Sequence, residues 1–228
     1  MSYLFSPSEV TSLAIENSQA RFPIHRIYCV GRNYADHARE MGHNPDQEPP
    51  FFFLKPADVI VTHGESFPYP SQSREVHHEV ELVVALHRGG KEIATADALQ
   101  HIFGYAVGID MTRRDLQNAA KEQGRPWESG KSFDYSAPCS KLYPAERIGH
   151  PSSGRISLTV NGEVRQQADL NQMIWKVAQI IAELSSLFEL KAGDLIYTGT
   201  PAGVGPVEKG DRMVAAIEDV ASLEVVCE

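Results

Sequence analysis

The segment 79–86 constrains the fold more than any other part of this chain. It begins with two glutamates one residue apart, Glu79 and Glu81, and continues into the uninterrupted apolar run 82–86. Residues two apart in a strand point to the same face, and a continuous apolar run is typical of a strand buried on both faces. The segment therefore predicts a buried strand that carries two neighbouring carboxylates at its start.

These two carboxylates need compensation if they are buried, because like charges that lose their water repel each other. They must be protonated, paired with a cation, or bound to a metal. A hard divalent cation such as Mg²⁺, Mn²⁺ or Ca²⁺ suits oxygen ligands. The same residues are also typical of an exposed strand edge with two solvated glutamates, and the segment alone leaves both interpretations open.

A third carboxylate follows another predicted strand, 104–110, which ends in Asp110. Three carboxylates around one hard cation leave coordination positions for water and substrate, as catalytic sites require. Asp110 also suits the cap of the polar helix predicted over 113–123, so the two roles compete.

A histidine and a glutamate, His37 and Glu40, are three residues apart on a predicted short helix over 34–41 and so share one face. A carboxylate beside an imidazole fixes its tautomer and raises its basicity, which is the arrangement of water-activating sites. An ordinary surface pair is the alternative interpretation.

Several other polar residues are candidates for a functional role only if they lie beside such a site. Lys131, in a predicted loop over 124–136, would stabilise an oxyanion in a pocket but is otherwise a solvated lysine. Arg114 and Gln117 are one helical turn apart and either lean over the site or lie on a helix surface. The glycine-rich segment 199–205 offers backbone N–H groups to a carboxylate or phosphate, or is simply a turn; it lacks the Lys-Ser/Thr ending of a P-loop.

The remaining pattern is mainly that of strands, with a hairpin turning at Asn161-Gly162 and one strongly periodic helix over 171–188. Further strands are predicted at 26–30, 51–54, 195–198, 212–217 and 222–227. Strands outnumber helices and do not alternate with them, which favours an α+β fold. We expect residues 1–23 to be an N-terminal adaptor, with a short helix through Ile15, and residues 24–228 to form the catalytic domain.

Charge and composition exclude several partners. The formal net charge of −9 argues against nucleic acid or an anionic membrane as the main partner. No apolar run is long enough to span a bilayer, and the first twenty residues lack the layout of a signal peptide. The three cysteines show no metal or redox spacing; Cys29 and Cys227 are predicted to be buried thiols, and a reducing cytoplasm is expected.

Six segments together resemble the fumarylacetoacetate hydrolase family. They occur in the family's order and cover the chain from about residue 24 to the C-terminus: VGRNYADH at 30–37, FLKP at 53–56, HEVEL at 78–82, GIDMTRRDLQ at 108–117, GKSF at 130–133 and LIYTGTPAGVG at 195–205. The length and the first of these segments resemble the short acylpyruvase branch, which is similar to fumarylpyruvate hydrolases and mitochondrial acylpyruvases.

The resemblance implies a mixed β-roll of the fumarylacetoacetase C-terminal-domain type with few helices, usually as a homodimer. It implies three groups of site residues: the ligands of Mg²⁺ or Mn²⁺ (with Ca²⁺ a further candidate), Glu79, Glu81 and Asp110; the catalytic residues His37, Glu40, Lys131 and Gln117; and the substrate contacts Arg32, Tyr34, Lys55, Arg114 and Thr200.

The activity that the resemblance implies is metal-dependent hydrolysis of a C–C bond in a 2,4-diketo acid. The preferred substrate is fumarylpyruvate, cleaved to fumarate and pyruvate in the catabolism of aromatic compounds. Alternatives are decarboxylation of oxaloacetate and isomerisation of a related diacid. A non-catalytic metal-binding or ligand-binding module is a further alternative, but the presence of both His37 and Glu40 argues against it because binding alone needs no base.

Overall fold

Strands form most of the regular structure. A computed structural model describes residues 3–40 and 49–228 of the protein. Within these residues the strands are β1 Ser12–Ala14, β2 Arg21–Pro23, β3 Arg26–Gly31, β4 Phe51–Lys55, β5 Ile60–Thr62, β6 Ser66–Phe67, β7 Val76–His78, β8 Val80–Leu86, β9 Ile102–Ile109, β10 Thr112–Arg113, β11 Ala137–Cys139, β12 Tyr143–Pro144, β13 Arg155–Val160, β14 Glu163–Asp169, β15 Asp194–Tyr197, β16 Gly205–Val207, β17 Arg212–Ile217 and β18 Ala221–Cys227.

Helices in the same residues are few and short. The α-helices are α1 Ala35–Glu40, α2 Arg114–Glu122, α3 Glu128–Lys131, α4 Ala145–Ile148 and α5 Val177–Leu187. Single 3₁₀ turns cover Ala57–Val59, Ala98–His101 and Leu170–Gln172. None of the described helices is long and apolar enough to cross a membrane.

Two sheets carry the architecture. The larger has the order β4-β3-β15-β8-β9-β11-β5, with β12 also paired to β9, and it curls into a half-barrel. The second has the order β14-β13-β17-β18-β6, and two small sheets, β10-β7-β16 and β1-β2, lie outside both. Parallel and antiparallel pairs occur together, since β3 pairs with β15 in parallel and β8 pairs with β9 antiparallel. The predicted α+β class with a mixed β-roll and few helices is confirmed.

The central strand β8 separates two apolar cores. Leu82 and Val84 pack into the core that also contains α5 and the second sheet, whereas Val83 and Ala85 pack into the core on the other face. Every residue of β8 is buried, as its continuous apolar run predicts. Each fully buried aliphatic side chain stabilises the fold by roughly 1.5–3 kcal/mol, so this strand is anchored firmly.

The pairing of β8 with β9 brings the predicted carboxylates together. Val80 lies opposite Ile109 and Glu81 lies opposite Gly108 in the antiparallel register. The start of β8 therefore lies beside the end of β9, and the N–H of Asp110 donates to the Glu79 carbonyl at 2.8 Å.

Several predicted elements are confirmed closely. The hairpin of β13 and β14 turns at Asn161 and Gly162, whose φ angles of 53° and 85° are those of a tight turn. The three cysteines are free and buried, as expected for Cys29 and Cys227.

Other predicted elements differ from the structure. The N-terminal helix is wrong: β1 and β2 pair as strands there, because Leu13 and Phe22 are buried side by side in the second core. The predicted loop over 124–136 contains α3. Residue 41 of the predicted helix lies outside the described residues. The domain boundary at residue 23 stays a prediction.

The long helix also begins later than its periodicity predicts, at Val177 instead of residue 171. The preceding residues are held by distant partners: the N–H of Ile174 donates to the Asn33 carbonyl at 2.8 Å, and the N–H of Trp175 donates to Asn33 Oδ1 at 2.6 Å. These tertiary bonds outweigh local helix propensity.

Candidate active site

Three buried carboxylates form the centre of the site. Glu79 lies between β7 and β8, Glu81 on β8, and Asp110 directly after β9, and one oxygen from each lies within 4.8 Å of the others. All three side chains are buried, so the exposed-edge interpretation is wrong. Gly108 makes the close packing beneath them possible, since a Cβ there would lie 2.6 Å from the Tyr197 ring.

Cationic side chains already contact two of these carboxylates. Lys131 Nζ donates to Glu79 Oε2 at 2.9 Å, Asp110 Oδ2 at 2.7 Å and the Thr112 hydroxyl at 2.7 Å. Arg114 donates through its guanidinium to Glu79 Oε1. Ion pairing thus offsets the desolvation cost of burying Glu79 and Asp110, which was one of the alternatives left open by the sequence.

Lys55 lies behind Asp110. Its Nζ is 2.9 Å from Asp110 Oδ1, although the direction does not suit a hydrogen bond, and it donates to the carbonyls of Met111 and Lys131. Asp110 Oδ1 therefore has a neighbouring charge but no hydrogen-bond donor among the described residues. An oxygen in that state is available to a further cation.

The third carboxylate, Glu81, has no such ion pair with any described residue. Glu81 Oε2 accepts the N–H of Gly199 at 2.7 Å, while burial and the nearby Asp110 and Glu79 raise its pKa well above the ordinary range. Burial alone would also raise the pKa of Glu79, but Lys131 and Arg114 hold it well below its ordinary range. The charged form of Glu81 is thus disfavoured unless a further cation binds, and the oxygen donors of the cluster fit a hard divalent cation.

The histidine–glutamate pair is present on α1. His37 is buried, and its Nδ1 lies 3.3 Å from Glu40 Oε2. The partly exposed Glu40 carboxylate also accepts the N–H of Gly203, at 3.3 and 3.4 Å for its two oxygens. The glycine-rich segment after β15 thus donates N–H groups to two carboxylates of the protein itself, Glu81 and Glu40, and so ties the histidine pair to the acidic cluster.

The inner face of α2 presents a second pair. Arg114 Nη1 donates to Gln117 Oε1 at 2.6 Å, and both residues are buried, so the helix-surface interpretation is wrong. A guanidinium can only donate, so the Gln117 amide must turn its oxygen toward Arg114. Its NH₂ group is then left to donate toward the pocket.

A single pocket brings most of the predicted residues together. Nine of them line it: Arg32, His37, Glu79, Glu81, Asp110, Arg114, Gln117, Lys131 and Thr200. Glu40, Lys55 and Tyr34 are not among the described residues of its wall; Glu40 and Lys55 lie behind His37 and Asp110, and Tyr34 lines a separate cavity. The roles of all twelve stay predictions.

The pocket also contains residues that the sequence analysis did not select. Its outer wall includes Phe51, Phe53, Trp127 and Lys121. Lys121 had a usable signal, since it follows Gln117 by four residues on the same helix face. The aromatic residues gave no such signal, because an apolar residue in a strand or a tryptophan in a loop is usually part of a hydrophobic core.

Comparison with known proteins agrees with this geometry. The family model described as fumarylacetoacetate (FAA) hydrolase C-terminal matches residues 26–227. The mitochondrial oxaloacetate tautomerase FAHD1 of Mus musculus is 44% identical over 197 residues, which are 86% of this chain and 89% of that protein. The fumarylpyruvate hydrolase of Ralstonia sp is 40% identical over 178 residues, 78% of this chain and 92% of that protein.

A solved structure is similar over the whole chain. The crystal structure of fumarylpyruvate hydrolase from Pseudomonas aeruginosa in complex with Mn²⁺ and pyruvate superposes with a TM-score of 0.97 and is 53% identical, covering 99% of each chain.

Proposed function

Because this chain belongs to the fumarylacetoacetate hydrolase family, we propose that it hydrolyses the C–C bond of a 2,4-diketo acid, with fumarylpyruvate as the preferred substrate. The observation that carries the proposal is one pocket that brings together three buried carboxylates, His37 with Glu40 behind it, Gln117 and Lys131. The homodimeric state and the role in aromatic catabolism stay predictions that rest on the resemblance alone. The cytoplasmic location stays a prediction that rests on the spacing of the cysteines.

We assign a divalent cation, Mg²⁺ or Mn²⁺ with Ca²⁺ as a further candidate, to Glu79, Glu81 and Asp110. Their oxygens are close enough together, and the similar Pseudomonas aeruginosa enzyme was crystallised with Mn²⁺ and pyruvate. When bound, such a cation supplies Lewis-acid stabilisation of negative charge on the keto-acid end of the substrate.

Different side chains of this protein transfer the proton and stabilise the negative charge that develops. His37, oriented by Glu40, takes a proton from water, and the water oxygen forms a bond to the distal carbonyl carbon. The NH₂ of Gln117 donates to the resulting oxyanion. The three N–H groups of Lys131 already bind Glu79, Asp110 and Thr112, so its ammonium stabilises the oxyanion through its positive charge. Burial alone would lower the pKa of Lys131, but Asp110 and Glu79 raise it, so this lysine stays cationic.

The last step breaks the C–C bond. The oxyanion collapses to a carboxylic acid, and the electron pair of the broken bond passes to the pyruvate half as an enolate. Protonation of that enolate gives pyruvate. For fumarylpyruvate, one water is consumed and fumarate and pyruvate are released, so the atoms balance.

A second candidate function acts on oxaloacetate. The 44% identity to the mouse protein named oxaloacetate tautomerase favours it. Tautomerisation of oxaloacetate, like its decarboxylation, needs no attacking water. These reactions therefore differ from hydrolysis in their need for a base that activates water.

Replacing His37 distinguishes hydrolysis from the decarboxylation of oxaloacetate. We expect His37→Ala to lower hydrolysis of fumarylpyruvate by ~10²–10⁴-fold, the usual contribution of a general base, and to leave decarboxylation of oxaloacetate largely intact. Glu40→Gln should cause a smaller loss, because it weakens the base without removing it. Loss of substrate absorbance follows the hydrolysis, with Mg²⁺ or Mn²⁺ present.

The control for this experiment is His87→Ala, which changes an exposed histidine outside the pocket. Unchanged hydrolysis in His37→Ala would refute the histidine as base. A wild-type protein that converts oxaloacetate but cleaves no acylpyruvate would refute the hydrolase assignment.

A further inference from the structure

The inner face of α2 continues beyond the residues that contact the acidic cluster. Arg114, Gln117 and Lys121 are spaced by three and four residues, so their side chains follow one face of the helix. A rise of ~1.5 Å per residue places Lys121 about 10 Å along the axis from Arg114. Lys121 is half-buried and lines the same pocket at a distance from the carboxylates.

Aromatic rings hold Lys121 in position. Its Nζ lies 5.0 Å from the centroid of the Trp127 ring, which meets Phe51 edge to face at 5.3 Å. The guanidinium of Arg32 lies 5.2 Å from the centroid of Phe51. Cation–aromatic contacts of this length are attractive but do not neutralise the charge. The outer end of the pocket is therefore a flat apolar wall with cations on it.

The charges around Lys121 favour an incoming anion. Burial and then Arg114 lower its pKa to about 8, Arg32 and Lys131 act in the same direction, and Glu79 opposes them. Its ammonium has no hydrogen-bond or ion-pair partner within 3–40 and 49–228. A half-buried ammonium among other cations gains stability when a carboxylate binds beside it.

We propose that Lys121 binds the second carboxylate of a dicarboxylic substrate and makes the enzyme selective for acylpyruvates whose acyl group ends in a carboxylate. The ring of Trp127 contacts the planar carbon chain between the two ends of the substrate. This inference rests on the proposed function, because it takes the keto-acid end to lie at the acidic cluster.

The test removes the positive charge of Lys121 and keeps a side chain of similar length. Lys121→Met retains an apolar stem against Trp127, so the pocket wall is preserved. Kinetics are compared for fumarylpyruvate, which has the second carboxylate, and acetylpyruvate, which lacks it. We expect kcat/KM for fumarylpyruvate to fall about 10–100-fold, mainly through KM, as for the loss of a charge-assisted hydrogen bond. The loss for acetylpyruvate should be much smaller, and Lys121→Arg should retain most of the selectivity.

Binding without turnover provides a second readout that does not depend on hydrolysis. Calorimetry with Mn²⁺ present compares fumarate with crotonate, which has the same carbon skeleton and a single carboxylate. The wild-type protein should bind fumarate about tenfold more tightly, and Lys121→Met should lose this preference. Lys209→Met, at an exposed position outside the pocket, is the matched control.

The outcomes separate this inference from the proposed function. Equal losses for both substrates in Lys121→Met, or an unchanged preference for fumarate, would overturn the role of Lys121. A wild-type protein that cleaves neither substrate would overturn the proposed hydrolysis, while the fumarate and crotonate comparison would still decide whether Lys121 recognises a second carboxylate.

Discussion

At the scale of single residues, the direction of one hydroxyl proton can be deduced from its neighbours. Gln166 is fully buried; its Oε1 accepts the N–H of Val80 at 3.0 Å, and its Nε2 donates to Thr200 Oγ1 at 2.8 Å and to the Pro201 carbonyl at 2.9 Å. A backbone N–H only donates and a carbonyl only accepts, so the amide has one possible orientation. Thr200 therefore accepts from Gln166 and keeps its own proton to donate into the pocket.

Replacing Gln166 with glutamate should reverse the direction in which the Thr200 hydroxyl donates its proton. One carboxylate oxygen can still accept from Val80, but the other cannot donate, so the Thr200 proton turns toward it and away from the pocket. We expect Gln166→Glu to raise KM about tenfold, the effect of one lost hydrogen bond to a charged group, with a smaller change in kcat. Steady-state kinetics measure both.

Thr200 variants supply the controls for this residue pair. Thr200→Val should raise KM as much as Gln166→Glu does, and Thr200→Ser should retain activity. The double variant Gln166→Glu/Thr200→Val should be little worse than either single variant, because both act through the same hydroxyl. Losses that add would show that Gln166 acts on another part of the site.

At the scale of elements, one aspartate anchors helix α2, whose inner face lines the pocket. The carboxylate of Asp115, in the first turn of α2, accepts from the Ser73 hydroxyl at 2.7 Å and from the N–H groups of Arg74 and Leu116, each at 2.9 Å. Burial alone would raise its pKa, but these hydrogen bonds lower it. A lowered folded-state pKa means that the stabilisation is present above the unfolded pKa and is lost as the pH falls through the folded one.

We therefore expect Asp115→Asn to lower the free energy of unfolding at pH 7 by about 1–2 kcal/mol. The difference from wild type should narrow below about pH 4, where the wild-type carboxylate takes up its proton. Urea unfolding at pH 7, 5 and 3 measures it, with Asp58→Asn at an exposed position as control. A difference that stays constant across this range would contradict a role for the charge.

The elements also show where sequence reasoning succeeds. The strand β8 was predictable because both its faces are apolar, and α2 because a mainly polar segment extends without interruption from 113 to 123. The role of Asp110 as the cap of α2 is wrong, since the N-cap residue is Arg113 and no side chain caps the helix. The start of α5 was not, because Ile174 and Trp175 are held by Asn33, more than half the chain away. In the site, Asp110 could be paired with Glu79 and Glu81 from strand ends alone. Gln166 could not be found, since it contacts Val80 across 86 positions of sequence.

At the scale of the whole molecule, the acidic cluster exists only in the folded chain. Its carboxylates come from two paired strands, and the lysine and arginine that contact them come from later elements. These cations offset the charges of Glu79 and Asp110, whereas Glu81 forms no ion pair within residues 3–40 and 49–228. A cation that binds all three carboxylates binds the folded state and not the unfolded chain, so it must stabilise the entire fold.

The final prediction is a metal-dependent rise in melting temperature. At a free-metal concentration of 100 times Kd the stabilisation is about 2.7 kcal/mol. At roughly 2–4 °C per kcal/mol for a chain of this size, the melting temperature should rise by about 5–10 °C with Mn²⁺ relative to chelator. Glu81→Gln should remove that rise and lower activity at least ~100-fold.

Without metal, Glu81→Gln should melt no lower than wild type, because the part of the chain that the structure describes offers Glu81 no ion pair to lose. Glu122→Gln, on the exposed side of α2, should keep both the metal-induced rise and the activity. A wild-type melting temperature that Mn²⁺ and Mg²⁺ leave unmoved, together with full activity in excess chelator, would show that Glu79, Glu81 and Asp110 bind no catalytic metal. Burial of the polar Glu81 carboxyl would then destabilise the fold without serving catalysis, and hydrolysis would depend on His37, Gln117 and Lys131 alone.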